Sequence, residues 1–450
     1  MLILQDKQLR LTIFRTALPA MMEMILYMLI GIVDVAIVGR LGAAPLAAVG
    51  LGAEIFFGSV LILEALGIGS AVLVAQAKGA ERFEAADRIA GQTVMLGLII
   101  GIIAGALGLI FTEAIVGLFD VEPAVFSQAA AYMRITFWVA PLALTFYMIC
   151  TVYRGWGRTE IPMYIALVVN IINCVGDYIL VYGKLGFPQL GVAGAAWATA
   201  AAHVVGFIIA VTFLLRGKGQ LKIPRDLLSG FDLKVIRKIF SLGVPSLAEH
   251  FFNNFSTIIS VYLLVSAGTL AFASHQVGVT VESLSFMPGI GVAIAATALV
   301  GKSIGARDYG EAQRMARGTM EFALLVMGCF GLVFALFPYN VASLFTTDRE
   351  IIAIAGLLLR IAALEQLTIA IAMVLGGILR GAGNTRTPMI ITVLATWVYR
   401  LPMLYLVIRV LQLPIQFAWM VFVSDWLLRA IVFTVIYRRR KWLQREPVTN

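Results

Sequence analysis

One motif occurs twice in this chain, as RGWGRTEIPM at residues 154–163 and as RGAGNTRTPM at residues 380–389. The two copies lie 226 positions apart, and the same shift relates residues 12–163 to residues 238–389 without a gap. Matched positions include Pro19 and Pro245, Glu23 and Glu249, and Gly42 and Gly268. Similarity at one fixed shift indicates an internal repeat. The chain therefore contains two copies of one structural unit.

The composition is typical of a membrane protein. Of the 450 residues, 61% are hydrophobic, whereas soluble domains average about 45–50%. Apolar runs of roughly 20 residues, the length that spans a bilayer as a helix, recur along the whole chain. We predict an all-α membrane protein with twelve transmembrane helices. The predicted spans are residues 16–39, 47–73, 91–116, 128–152, 161–183, 189–215, 239–266, 271–300, 318–342, 351–378, 388–408 and 414–437.

The net charge of +9 reflects an uneven distribution of basic residues. Of the 34 Lys and Arg residues, 26 lie in the loops and terminal segments on one side of the membrane, four lie on the other side and four lie within spans. Basic residues concentrate on the cytoplasmic side of membrane proteins. The pattern predicts a multi-pass protein of the plasma (inner) membrane with both termini in the cytoplasm. The same pattern predicts that the basic surface contacts the lipid bilayer and does not bind nucleic acid.

The repeat divides the predicted spans into two groups of six. Because six is an even number, both copies enter the membrane in the same direction, so the internal repeat is parallel. We predict two six-helix bundles: an N-terminal lobe at residues 1–215, a cytoplasmic linker at 216–238 and a C-terminal lobe at 239–450. Residues 231–238 are amphipathic and predict a short interfacial helix or a solvated connector. Since one chain supplies both bundles, we expect a functional monomer.

Two spans of the first copy each carry a stripe of polar side chains. The stripes are Glu23, Tyr27 and Asp34 in the first span and Asn170, Asn173 and Asp177 in the fifth span. Both spans run outward, and both aspartates lie roughly 8–9 Å from the outer end of their span. We expect the two carboxylates and an amide to share a hydrated cavity, where a proton is taken up from outside and released inside. The alternative is a polar cluster that only fixes the packing of the helices.

The second copy carries a different set of acidic residues. The shift of 226 matches Asp34 to Ser260 and Asp177 to Met403, so the outer carboxylate pair belongs to the first copy alone. A candidate second cation site consists of Glu249, Asn253, Glu282 and Glu365. The same residues are equally suited to lining a substrate path. Asp425 and Arg429 are spaced to form an ion pair within the last helix.

Several kinds of chemistry are excluded by spacing. The histidines His203, His250 and His275 and the three scattered cysteines lack the spacing of metal ligands. The segment GKS at 301–303 lacks the upstream glycine and the preceding strand of a phosphate-binding loop. We therefore predict no metal site, no cofactor apart from a coupling ion, and no enzymatic activity.

Four stretches together resemble the multidrug and toxic compound extrusion (MATE) transporters. They are VDVAIVGRLG at 33–42, NCVGDY at 173–178, GVAGAAWAT at 191–199 and RGAGNT at 380–385. The pair Asp34 and Asp177 is most similar to the DinF branch. The resemblance implies a two-lobe exporter driven by inward flow of H⁺ or Na⁺, with Asp34 as the main coupling residue and Asp177 and Asn173 beside it. Other branches use acids of the seventh and tenth helices, a pattern that Glu249 and Glu365 match only in part.

These observations predict a proton-coupled multidrug antiporter that exports cationic amphipathic compounds by alternating access. Its substrate cavity is predicted to contain Glu23, Tyr27, Asp34, Asn170 and Asn173. The alternatives are a Na⁺-coupled drug exporter and a flippase for lipid-linked substrates. A flippase would need arginines for a diphosphate, and only Arg134, Arg360, Arg400 and Arg429 lie near spans.

Overall fold

The computed structural model describes residues 5–217, 221, 230–443 and 447–448, and these residues contain helices and no strand. The first half of the chain forms helices α1 Lys7–Val38, α2 Ala43–Glu64, α3 Gly67–Gly79, α4 Phe83–Gly117, α5 Pro123–Trp138, α6 Ala140–Gly155, α7 Glu160–Tyr182 and α8 Val192–Leu215. Part of the predicted linker, residues 218–220 and 222–229, lies outside the described residues.

The second half forms helices α9 Leu233–Val265, α10 Thr269–Gly305, α11 Tyr309–Leu336, α12 Pro338–Ala342, α13 Arg349–Gly381, α14 Arg386–Leu394, α15 Leu401–Tyr405 and α16 Ile415–Arg438. Two π-helical segments, Ala395–Arg400 and Leu406–Val410, interrupt the span that begins with α14. The predicted interfacial helix does not stand alone, because residues 233–238 are the first turns of α9.

The described residues confirm an all-α membrane fold. Ten helical segments are long and apolar enough to cross a bilayer, and the number is eleven if α5 and α6, which meet at an angle of 58°, count as one span. The predicted seventh span corresponds to the 33-residue helix α9. This helix is long enough to cross a bilayer, but Glu249, His250, Asn253 and Asn254 make it less apolar than the other spans.

Contacts divide the chain into two compact units. One is Met22–Leu247, and the other is Met1–Met21 together with Ala248–Asn450. This division differs from the predicted lobes, because the initial segments of α1 and α9 each belong to the unit built from the other repeat. The two crossing points are 226 positions apart, and each lies two residues after a matched proline, Pro19 or Pro245.

Close packing explains why the initial segments are exchanged. In α1, Leu9, Ile13, Ala17 and Met21 are buried in a hydrophobic core formed mainly by α10, α11 and α13. In α9, the backbone of Ile239 approaches α3 so closely that a Cβ added to Gly69 would lie 2.3 Å from the Ile239 carbonyl oxygen. Contacts of this kind are formed by small residues that let helix backbones approach one another.

Matched ion pairs hold the two exchanged segments. Asp6 precedes α1 and pairs with Arg314 of α11, while Asp232 precedes α9 and pairs with Arg88 of α4 at 3.3 Å. The two ion pairs occupy matched positions of the repeat, because the shift of 226 relates Asp6 to Asp232 and Arg88 to Arg314. Each aspartate also accepts hydrogen bonds from the first backbone N–H groups of its helix, so it acts as an N-cap.

Candidate functional site

The unit Met22–Leu247 contains a buried pair of carboxylates. Asp34 of α1 is 3% exposed and Asp177 of α7 is fully buried. Their side chains interact with each other, and the Asn173 side chain interacts with Asp34. Asn173 Nδ2 also donates a hydrogen bond of 3.3 Å to Thr199 Oγ1 on α8. The structure therefore brings together the two aspartates and the amide that the sequence places at one depth.

The hydrogen-bonding capacity of this cluster is largely unused. Among the described residues, Asp34 Oδ1, Asn173 Oδ1 and both carboxylate oxygens of Asp177 have no hydrogen-bond partner. The same holds for the buried hydroxyl of Tyr132, which lies close enough to both aspartates to interact electrostatically. Ionised carboxylates only accept hydrogen bonds, so the two aspartates bond to each other only when one carries a proton. The cluster is suited to binding a proton or a small cation.

Two of the three remaining predicted cavity residues, Glu23 and Tyr27, lie in a second cluster around Arg154. Arg154 Nη2 donates to Glu23 Oε1 at 2.7 Å, and Nη1 donates to Glu64 Oε1 at 2.8 Å. The Tyr27 hydroxyl donates to Glu23 Oε1 at 3.1 Å and accepts from Arg154 at 3.3 Å. Glu23 is thus held in an ion pair that Tyr27 supports. Asn170 donates to the Ala166 carbonyl of its own helix at 2.8 Å.

Sequence reasoning missed Arg154, Glu64, Tyr132 and Thr199. Arg154 was assigned to a cytoplasmic loop because it ends the hydrophobic run, whereas the structure buries it at the end of α6. The internal repeat contained the signal that identifies its role. Glu23 and Arg154 are 131 positions apart, and so are their matched residues Glu249 and Arg380.

The unit formed by Met1–Met21 and Ala248–Asn450, called the second unit below, contains the matching ion pair. Arg380 Nη2 donates to the two carboxylate oxygens of Glu249 at 2.7 and 2.8 Å, and Thr392 Oγ1 donates at 3.0 Å. Glu249, predicted as a cation ligand, is therefore already paired with a cation. Asn253, predicted beside it, is exposed.

Two other acids of the second unit, the half-buried Glu282 and the buried Glu365, lie close together. Glu282 of α10 and Glu365 of α13 interact with each other, and both interact with Arg400. Among the described residues, Glu365 Oε2 has no hydrogen-bond partner. Glu282 and Glu365 thus interact with each other and with Arg400, and Arg429 interacts electrostatically with Glu249 as well as with Asp425. No group of three or more His, Cys, Asp and Glu side chains in the described ranges is arranged to hold a metal.

The predicted ion pair of Asp425 and Arg429 is present in this cluster and has an additional partner. Arg429 Nη2 lies 2.9 Å from Asp425 Oδ2, and Arg400 Nε donates to the same oxygen at 2.8 Å. Arg429 also donates to Thr396 Oγ1 at 2.6 Å. Thr396 and Arg400 both lie on the first π-helical segment, whose extra residue per turn changes the direction of its side chains relative to a regular helix.

Comparison with known proteins identifies the family. The MatE family model matches residues 19–179 and 245–406. The probable multidrug resistance protein NorM of Thermotoga maritima is 31% identical over 98% of this chain and 95% of its own length. The multidrug resistance protein MdtK of Yersinia pseudotuberculosis is 28% identical over 96% of this chain and 95% of its own length.

Solved structures show the same fold. A multidrug resistance MATE family transporter of the MOP superfamily, in an outward-facing conformation, matches with a TM-score of 0.89 and 23% identity over 96% of each chain. A MOP superfamily transporter from Pyrococcus furiosus matches equally well, with a TM-score of 0.89, 23% identity and 96% of each chain covered. The two blocks of the family match start 226 residues apart, at the same shift as the internal repeat. The chain belongs to the MatE family of multi-pass membrane transporters.

Proposed function

We propose that this transporter is a proton-coupled antiporter that exports cationic amphipathic compounds. The observation that carries the proposal is the buried pair of Asp34 and Asp177, which has unused hydrogen-bonding capacity next to Asn173. The names of the NorM and MdtK relatives, both multidrug resistance proteins, support drug export. A buried carboxylate without a paired cation is costly inside a membrane, so such residues mark ion and substrate pathways.

The proposed cycle is a competition for one negative charge. When Asp34 is ionised, it attracts a cationic compound into the unit Met22–Leu247. Asp177 and Asn173 complete the polar surface around the compound. Protonation of Asp34 from the outside removes this charge, so the compound is released outward. Deprotonation toward the cytoplasm restores the site. Each positive charge that moves inward releases about 2.3 kcal/mol per 100 mV of membrane potential.

Sodium is the alternative coupling ion, because carboxylate and amide oxygens also suit hard cations. The two coupling ions differ in what they require of the pair. One proton is shared by two carboxylates through a single hydrogen bond, whereas a metal cation needs several oxygens around it. Asp34, Asp177 and Asn173 carry five side-chain oxygens in total, so transport measured with and without sodium is needed to decide between the two ions.

We place a second cation site at Glu282 and Glu365 and leave Glu249 out of it. Glu365 retains an oxygen without a hydrogen-bond partner among the described residues, whereas Arg380 neutralises Glu249. A flippase is less well supported, because Arg400 and Arg429 both pair with Asp425 and neither is free to bind a diphosphate.

Transport in proteoliposomes tests the proposal. With wild-type protein, an inward-directed proton gradient should drive ethidium against its own gradient, at fixed sodium concentration and also without sodium. Asp34→Asn should abolish this transport. Asp120→Asn is the matched control, because the same chemical change is made at an exposed residue of a loop with positive φ, a conformation that Asn tolerates.

The same assay decides the alternatives. Full transport by Asp34→Asn, in protein that reconstitutes like the wild type, would contradict the mechanism. Strict dependence on sodium would replace H⁺ by Na⁺. For the second site, Glu365→Gln should change the number of charges moved per ethidium, and an unchanged stoichiometry would remove Glu365 from ion coupling.

A further inference from the structure

A small cavity lies between α11, α13 and α16 of the second unit. Its volume is about 160 Å³, and its lining residues are Ala316, Arg317, Met320, Glu321, Leu375 and Tyr437. The volume is roughly five times the share of one water molecule in the liquid. Most of the lining is apolar or aromatic, which suits hydrocarbon better than water.

The cavity lies at a membrane boundary that three spans define independently. Arg317 directly precedes the predicted span 318–342, and Tyr437 is the last residue of the predicted span 414–437. Leu375 lies three residues before the end of the predicted span 351–378. All three ends face the side to which the distribution of basic residues assigns the cytoplasm. The cavity is therefore at the level where acyl chains meet headgroups.

An aromatic pair fixes one wall of this cavity. The rings of Tyr437 and Trp442 stack with centroids 5.3 Å apart and an angle of 18°. Trp442 Nε1 donates a hydrogen bond of 3.2 Å to the Tyr437 carbonyl. Trp442 and Leu443 are buried in the same core as the lining residue Leu375. Tyr and Trp in such positions are typical of the membrane interface.

Basic residues outnumber acidic ones at the cavity, because Arg317 and Glu321 both line it and Arg440 lies close to its lining residue Tyr437. Arg317 is exposed, and it forms no ion pair within the described ranges. Arg317 and Arg440 both act electrostatically on Tyr437. Arg440 belongs to a run of four basic residues at 438–441. A ligand of this cavity therefore needs an apolar part and a negatively charged part.

We propose that the cavity binds an anionic phospholipid of the cytoplasmic leaflet, with the phosphate at Arg317 and the upper part of one acyl chain between Met320, Leu375 and Tyr437. This inference goes beyond the proposed transport function and does not depend on which ion or substrate is transported. The phospholipid supplies both the apolar and the anionic part, whereas free phosphate supplies only the second.

Lipid-dependent thermal stability of the full-length protein in detergent provides the test. Phosphatidylglycerol should raise the unfolding temperature more than phosphatidylcholine with the same acyl chains, since only a ligand of the folded state stabilises it. Arg317→Gln should weaken phosphatidylglycerol binding about fivefold, which corresponds to about 1 kcal/mol per basic residue near an anionic surface. Arg439→Gln, the same change at an exposed residue of the basic run that does not line the cavity, is the control and should bind normally.

A second variant tests the cavity without changing charge. Met320→Trp should fill the space and weaken phosphatidylglycerol binding while Arg317 remains. Comparing the two lipids within each variant removes any effect of the substitution on folding itself. The proposal fails if phosphatidylcholine or inorganic phosphate stabilises as well as phosphatidylglycerol. It also fails if Arg317→Gln and Arg439→Gln weaken binding equally, because that result indicates a diffuse attraction to the basic tail.

Discussion

Replacement of Arg154 by glutamine should be among the most destabilising single changes in the chain. Arg154 is the only cation paired with Glu23 and Glu64 among the described residues, and the Glu23 side chain is fully buried. After the substitution, the Tyr27 hydroxyl would be the strongest remaining hydrogen-bond donor to Glu23. Removal of one partner from a buried ion pair costs about 3–5 kcal/mol. Because two carboxylates lose their partner here, we expect Arg154→Gln to lie at the upper end of this range.

The second repeat provides a matched comparison. Arg380→Gln leaves a single carboxylate, Glu249, whose side chain is 10% exposed and still accepts a hydrogen bond from Thr392. We expect this variant to lie at the lower end of the same range, at about 3 kcal/mol. The order also depends on which partner is removed. Glu23→Gln should be milder than Arg154→Gln, because Arg154 keeps its bond to Glu64.

Equilibrium unfolding of the purified protein in mixed detergent micelles measures these differences, and tryptophan fluorescence can follow it. A double-mutant cycle of Glu23→Gln with Arg154→Gln should give a coupling energy within the range of about 0.5–3 kcal/mol seen for contacting residues. A stability of Arg154→Gln within about 0.5 kcal/mol of the wild type, the range of ordinary surface substitutions, would refute the argument. It would mean that water reaches the pair and that the carboxylates need no buried partner.

Two further predictions concern the exchanged segments. Backbone hydrogen bonds, of which the one from Val235 has the largest effect, hold the pKa of Asp232 below its ordinary value of 3.8. The ionised Asp232 cap therefore stabilises α9 at a pH above 3.8, and this stabilisation is lost as the pH falls through the lower pKa of the folded state. Hydrogen-exchange protection of the first turn of α9 should therefore fall as the pH is lowered from about 5 to below 3.8, and Asp232→Asn, which still caps and does not titrate, should remove this fall. Gly69→Ala should lower the free energy of unfolding by about 1–3 kcal/mol, because the added Cβ overpacks against the Ile239 carbonyl. The same unfolding assay measures this change. Gly58→Ala, whose Cβ would meet nothing within 4 Å, is the control and should leave the free energy of unfolding nearly unchanged.

Hydropathy and periodicity predicted the apolar helices because both patterns are local. The rise per residue of a helix and the ends of two predicted spans are enough to place Asp34 and Asp177 at one level. Contacts between distant segments were harder to predict. Hydropathy assigned Arg154 to a loop, since a charged residue at the end of an apolar run has the same local pattern whether its side chain turns inward or outward.

The exchange of α1 and α9 was also beyond local patterns. Each helix is a continuous run of helical residues, and its sequence does not show that its two ends pack against different units. The repeat was nevertheless informative where it was read as pairs of contacts instead of single residues. A glutamate and an arginine that recur at the same separation of 131 positions predict that the two residues touch, because two copies of one fold preserve contacts.

The two crossing helices are each held on both sides of their proline. In α1, Asp6 pairs with Arg314 before Pro19, and Glu23 pairs with Arg154 after it. The matched pairs hold α9 on either side of Pro245 in the same way. A proline inside a helix removes one backbone hydrogen bond, so the turn around it bends at lower cost than the turns on either side. If transport moves one unit relative to the other, both helices must absorb the motion between their two ion pairs, and the proline turns are where the backbone resists bending least. The prolines and ion pairs recur at matched positions, so both helices should bend at corresponding places. The carboxylate pair of Asp34 and Asp177 occurs in the first copy only, so the ion binding proposed there has no counterpart at the matched positions of the second copy.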